Sequence, residues 1–141
     1  MMIDFITIVK NILEEQGKSI TVLFDDKIIS KNTFYKYKQH NPSLKTILRI
    51  ADYLKVSVDY MYELSDENNY SKYSEDQSKF YDKLVMLIDS AGISCRKFCK
   101  DLHYAKDNIL RYKKGVEPNI QTLLEIAKYF DCTVDCFLTR E

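Results

Sequence analysis

The residue types best suited to chemistry in this chain are its four cysteines. Cys95 and Cys99 stand four apart, as do Cys132 and Cys136, the spacing that brings two side chains to one face of a helix. Four thiolates so placed can hold a zinc ion tetrahedrally. Packing offers another reading of the same residues. The two halves of the chain align, and Cys99 then falls opposite the apolar Phe24 and Cys132 opposite Val56. Both read as small core residues, so no metal is expected. His40 and His103 fall in turns of different halves, with no companion ligand. There is no glycine-rich phosphate loop, no histidine with a paired nucleophile at a recognised spacing, and the acids are scattered along amphipathic stretches. The chain reads as a non-enzyme that needs no cofactor.

Its basic residues are more informative. Lys+Arg and Asp+Glu balance at 21 each, and a net charge of zero argues mildly against a nucleic-acid binder, which usually has a basic excess. The distribution is uneven, however. Lys31–Lys38 holds three lysines and no acid, and Lys106–Lys114 holds three lysines and Arg111 against the single Asp107. The stretch SDENNYSKYSEDQ between the halves is acidic and polar. A basic helix with tyrosines is most often a solvated surface. Here the two basic stretches occupy matching places in a repeated unit.

The scaffold that must position them is written twice. PSLKTILRIADYLKVSVDYMYEL (Pro42–Leu64) is echoed by PNIQTLLEIAKYFDCTVDCFLTR (Pro118–Arg140). Upstream of the prolines Phe5, Leu13, Gly17, Leu23, Phe34 and Tyr37 match Phe80, Ile88, Gly92, Phe98, Ile109 and Tyr112. The offset is 75 before the prolines and 76 after them, so KKGVEP has one residue more than KQHNP, in a loop where insertion is tolerated. Two domains are expected, 2–64 and 79–141, with 65–78 as a polar acidic linker. The chain is 45% hydrophobic with only 3 Gly and 2 Pro, punctuation too sparse for a sandwich or barrel. Each domain is therefore expected to be all-α, with five short helices. In the first, the Phe5, Val9, Ile12 and Leu13 stripe stops at Gly17, and Ser19, Ser30, Ser43 and Ser57 are candidate N-caps. Asp59 falls in the first turn of the fifth helix, where the dipole favours an acid. The second repeats this through Ser94, Asn119, Thr133 and Asp135, but Ala105 stands where Ser30 stood, so its third helix should start less firmly. Asp4 interrupts the apolar start, and no stretch approaches the roughly 18 apolar residues of a membrane span. A soluble, cytoplasmic protein with free thiols and no membrane partner is expected.

Phe98-Cys99, Tyr112, Pro118-Asn119, Ile126-Ala127 and Asp135 follow one another in the second unit; Leu23-Phe24, Tyr37, Pro42-Ser43, Ile50-Ala51 and Asp59 do so in the first. In these motifs the chain resembles the Cro and lambda-repressor family of helix-turn-helix proteins, the xenobiotic-response-element type. Each motif alone is weak, but two ordered copies cover nearly everything outside the linker. The resemblance implies two tandem five-helix domains, a role in transcription regulation, and double-stranded DNA as partner, with the third helix of each in the major groove. With Phe34 and Tyr37 inward, a wheel at about 100° per residue points Asn32, Tyr35 and Lys36 outward, flanked by Lys31 and Thr33, with Lys38 beyond. In the second unit Asp107, Leu110 and Arg111 point outward, flanked by Lys106 and Asn108, with Lys113 and Lys114 beyond. Asn can bridge adenine, Lys or Arg can reach guanine or phosphate, and Thr or Tyr can donate to phosphate. The expected DNA-contacting set is thus Lys31, Asn32, Thr33, Tyr35, Lys36 and Lys38 with Lys106, Asn108, Arg111, Lys113 and Lys114.

The chain departs from the family's pattern in places. Ile20 and Cys95 stand where the family often has Gln, Phe24 is not small, and Lys27 replaces the apolar residue found at Leu102. Ile28 is expected to fill the core in its stead and to shift the turn. Fully extended, the 14-residue linker spans about 45 Å, enough for one chain to do what family members do as dimers. A homodimer or a partner protein remains open, and so does a different class of reading: a helical adaptor or antitoxin-like partner that binds protein.

Overall fold

The computed structural model describes residues 4–141; Met2 and Ile3, which open the expected first domain, lie outside the described residues. Among the described residues every regular element is helical. There are nine α-helices and two 3-10 helices, and no strand beyond the single bridged pair Tyr73 and Arg140. The fold is all-α, and it divides between Lys72 and Tyr73 into two compact units.

The first unit holds α1 (Phe5–Glu15), α2 (Thr21–Asp25), α3 (Lys31–Tyr35) running into a 3-10 turn (Lys36–Lys38), α4 (Leu44–Leu54) and α5 (Val58–Met61). Helix α1 starts where the Asp4 carboxylate accepts the Thr7 N–H at 2.8 Å. Its apolar stripe is buried, and the helix ends at Gly17, whose φ is +67°. There the Gly17 and Lys18 N–H groups reach back to Glu14 and Leu13 O at 3.0 and 2.9 Å, the paired bonds of a left-handed helix end. Ser43 and Ser57 cap α4 and α5 through the Thr46 and Tyr60 N–H groups at 3.3 and 3.1 Å. Ser19 does less than expected: its Oγ lies 3.4 Å from the Thr21 N–H, and α geometry begins only at Thr21. Leu23, Phe34, Ile47, Ile50, Ala51 and Val58 are fully buried. Burial of each of the larger ones is worth about 1.5–3 kcal/mol.

The second unit holds α6 (Phe80–Ser90), α7 (Cys95–Leu102), α8 (Lys106–Lys113), α9 (Ile120–Tyr129) and a 3-10 turn, Val134–Phe137. Ser94 caps α7 and Asn119 caps α9, through the Lys97 and Thr122 N–H groups at 3.0 and 2.8 Å. Thr133 does not cap. Its Oγ1 pairs with Cys136 Sγ at 3.3 Å instead, and the expected fifth helix is a single 3-10 turn. Corresponding aromatic pairs meet edge-on in each unit: Phe5 and Tyr37 at 5.7 Å, Phe80 and Tyr112 at 5.0 Å.

Residues 65–78 fold back onto the units. The Asn68 side chain accepts from the Ser57 N–H at 2.9 Å and donates to Lys55 O at 3.0 Å, and the Tyr70 hydroxyl donates to Asp52 at 2.9 Å. On the other side the buried Gln77 donates to Ser74 O and Thr139 O at 2.7 and 2.8 Å and accepts from the Thr139 N–H at 2.8 Å. The Tyr73 hydroxyl donates to Asp135, which also meets Arg140 at 3.2 Å. Asp135 is therefore an anchor for the chain end as well as a first-turn acid.

Of the two cysteines expected in the core, Cys99 is buried but Cys132 only half-buried; Cys95 and Cys136 are exposed. Burial pushes the Cys99 thiol above its usual range. Among the described residues no three His, Cys, Asp or Glu side chains converge to hold a metal, and no helix is long and apolar enough to cross a membrane.

Candidate nucleic-acid interface

In each unit the turn before the third helix is tied to the fourth helix. In the first unit Lys27, just past the Asp26 cap of α2, is in the left-handed region at φ 57°, and the Ile28 N–H returns to Leu23 O at 2.9 Å. In the second the left-handed residue is His103, at φ 60°, and the Tyr104 N–H returns to Cys99 O at 2.8 Å. Because Lys27 aligns with Leu102, the turn comes one residue earlier in the first unit. Ile28 and Ile29 then precede the Ser30 cap, where Tyr104 alone precedes Ala105. The shift expected from Lys27 is present: its charged side chain stays exposed and Ile28 is half-buried.

The fourth helix pins this corner twice, from residues one turn apart. Arg49 donates to Ile28 O at 3.1 Å, and the Tyr53 hydroxyl donates to the Asp26 carboxylate. From α9, Tyr129 donates to Asp101 at 2.7 Å, and Glu125 accepts from the Tyr104 hydroxyl at 2.8 Å. The Tyr129 hydroxyl, and then Lys97 at 3.2 Å, hold the Asp101 carboxyl below the usual range. The bonds to Asp26 and Asp101 raise Tyr53 and Tyr129 in turn. A hydroxyl donated to a carboxylate is a charge-assisted bond, stronger than a neutral one, so in each unit the end of the second helix is tied to the fourth helix.

At the start of α3, Ser30 Oγ accepts the Thr33 N–H at 3.2 Å and donates to Thr33 Oγ1 at 2.7 Å, leaving the Thr33 hydroxyl proton for another acceptor. Phe34 and Tyr37 are buried. Lys31, Asn32, Thr33, Lys36 and Lys38 are exposed. Tyr35, expected to point outward, lies on this face but is only partly open. It is half-buried, its ring packed against Phe34 and Phe24 at 5.5 and 6.3 Å, with Lys10 Nζ 5.9 Å above it. Phe24, large where the motif has a small residue, supplies the surface that takes this ring. Helix α3 keeps α geometry for only five residues before the 3-10 turn. Asn32, Tyr35 and Lys36 line one open depression, and Gln39 joins them there. Lys10 and Gln39 were absent from the expected set: Lys10 reaches the site from another helix, and Gln39 lies beyond the stretch placed on the wheel.

In the second unit Lys106, Arg111, Lys113 and Lys114 are exposed, as are Asp107 and Leu110, while Asn108 is half-buried. Ala105 provides no side-chain cap, yet α8 is a continuous helix of eight residues. Its outer surface is mixed, because Leu110 is 53% exposed and Val116, just beyond the helix, is 50% exposed. The eleven expected residues thus fall into two sets, one along each unit's third helix and the residues just after it. Lysine and arginine on such faces can neutralise phosphates, and Asn32 can bridge an adenine edge.

No curated protein and no solved structure matches the chain. Residues 83–141, which hold most of α6 and all of α7, α8 and α9, match the family model of the Cro/C1-type HTH DNA-binding domain.

Proposed function

We propose that the protein is a sequence-specific DNA-binding transcriptional regulator, not an enzyme, acting in the cytoplasm. Segments 2–64 and 79–141, one within each compact unit and joined by 65–78 as linker, work as tandem helix-turn-helix domains, each laying its third helix in the major groove. One observation carries the tandem reading: the tyrosine-to-aspartate tether of Tyr129 and Asp101, inside the region matched by the family, recurs at Tyr53 and Asp26 outside it. This brace supports the tandem reading even though the turn beside it is one residue earlier in the first unit. In the first unit the outer face offers Asn32 and Lys36 to base edges and Lys31 and Lys38 to phosphate, with no acid among them. In the second, Lys106, Arg111, Lys113 and Lys114 suit backbone anchoring, which orients without discriminating, while Asp107 repels phosphate. The first unit is the better reader of sequence.

The exposure of Leu110 favours a second reading for α8 alone, contact with protein as in an adaptor or antitoxin-like partner. Titrating the 15N-labelled full chain with duplex DNA separates the two. Amide shifts concentrated on α3 and α8 support the tandem reading. Shifts on α3 with α8 silent assign α8 to protein, and silence on both rejects DNA binding by these helices.

A further inference from the structure

We infer that Gln39 is a base-reading residue of the first unit, selecting an adenine beyond the position read by Asn32. This rests on the DNA-binding reading above and deepens it. After Tyr35 the backbone tightens to 3-10 geometry, and the Gln39 N–H bonds to Lys36 O at 3.0 Å. Side chains three apart share one side of a 3-10 turn, and Gln39, which caps the turn, falls on the side of Lys36. These four residues line a single open depression. Gln39 is held on both sides: Tyr37 is buried two residues before it, and the His40 ring after it packs edge-on against Tyr37 at 5.6 Å. Its carboxamide, like that of Asn32, makes no side-chain hydrogen bond among the described residues. The backbone is thus fixed while the amide is open to a ligand, the condition for a contact that discriminates.

A carboxamide can donate to adenine N7 and accept from adenine N6 at once, a pairing no other base edge offers in the major groove. From Asn32 to Gln39 the rise is about 12 Å, at about 1.5 Å per α residue and 2.0 Å per 3-10 residue. Residues that far apart along the face reach different base pairs, so the two adenines are distinct positions of the site. In the second unit the aligned position is Lys114, which cannot make this paired contact, so the extra adenine belongs to the first half-site only.

The test is selection of bound sequences from a random duplex pool by the full chain, as wild type, Asn32→Ala, Gln39→Ala and Gln39→Glu. Gln39→Ala is expected to lose preference at one adenine, about 5- to 150-fold in discrimination, and to leave the Asn32 position intact. Gln39→Glu should turn that position to cytosine, whose N4 amino group donates to a carboxylate. A selected site unchanged by Gln39→Ala, or an equal loss on all sequences as for a phosphate contact, overturns the assignment. If Asn32→Ala relaxes a position and Gln39→Ala none, the inference alone fails. If the wild type enriches no sequence, the DNA-binding reading fails with it.

Discussion

Replacing Lys113 and Lys114 together by alanine should flatten the salt dependence of DNA binding without changing which sequence is preferred. The third helices and their ends carry seven exposed cations: Lys31, Lys36, Lys38, Lys106, Arg111, Lys113 and Lys114. None of the seven is ion-paired to an acid among the described residues, so all are available to phosphate. If about six make contact at once, the log–log slope against salt is roughly −5, and affinity falls about 10³-fold between 50 and 200 mM. Losing two contacts should bring the slope to about −3.5 and the fall to about 10²-fold. Fluorescence anisotropy of a labelled duplex across that range, with the preferred and a scrambled sequence, reads both quantities. The two sequences should weaken by the same factor, because backbone contacts carry no sequence information. An unchanged slope in the double variant would refute the assignment of these lysines to phosphate, and a flat slope in the wild type would refute the electrostatic clamp altogether.

Three further outcomes follow from the fold. Phe98 is fully buried, with Tyr129 edge-on at 5.4 Å and Phe130 stacked at 5.6 Å; Phe98→Ala should cost about 3–5 kcal/mol in urea unfolding, and a loss under about 1 kcal/mol would contradict this packing. Ser30→Ala should cost about 1 kcal/mol, and Ala105→Ser should add somewhat less to the second unit, where no side chain caps α8; a neutral Ala105→Ser would show that the cap position is misplaced. Asp101 is held below its unfolded value, so the stability it lends is present above the usual carboxylate range and is lost as pH falls through the lowered pKa. Tyr129→Phe removes the main cause of that lowering, and carboxylate NMR should show Asp101 titrating at higher pH, with acid unfolding beginning earlier; an unmoved titration would refute the tether.

Much of the scaffold can be read from the residues because it is local. Caps at Ser30, Ser43, Ser57, Ser94 and Asn119 need only a side-chain oxygen two or three residues before an N–H group. The displaced turn follows from one mismatch, Lys27 opposite Leu102, since a lysine there must stay in solvent. What was not legible depends on contacts across elements or on geometry that one helical turn cannot resolve. Phe34 and Tyr37 are three apart, and both α and 3-10 backbones put such a pair on roughly one face. The 3-10 turn after Tyr35, and hence the place of Gln39, could not be seen in the spacing. Tyr35 sits outward on a wheel, but Phe24 from α2 and Lys10 from α1 hold its ring against the unit. Thr133 has the residue type of a cap, yet its hydroxyl pairs with Cys136.

The proposal of two unequal reading heads in one chain can be checked most directly by the pool selection with the unmodified protein. Enriched duplexes should have one sharply defined half, containing two adenine positions, and one loosely defined half; crosslinking should assign the sharp half to α3. Two equally sharp halves, a sharp half crosslinked to α8, or no enrichment would contradict it.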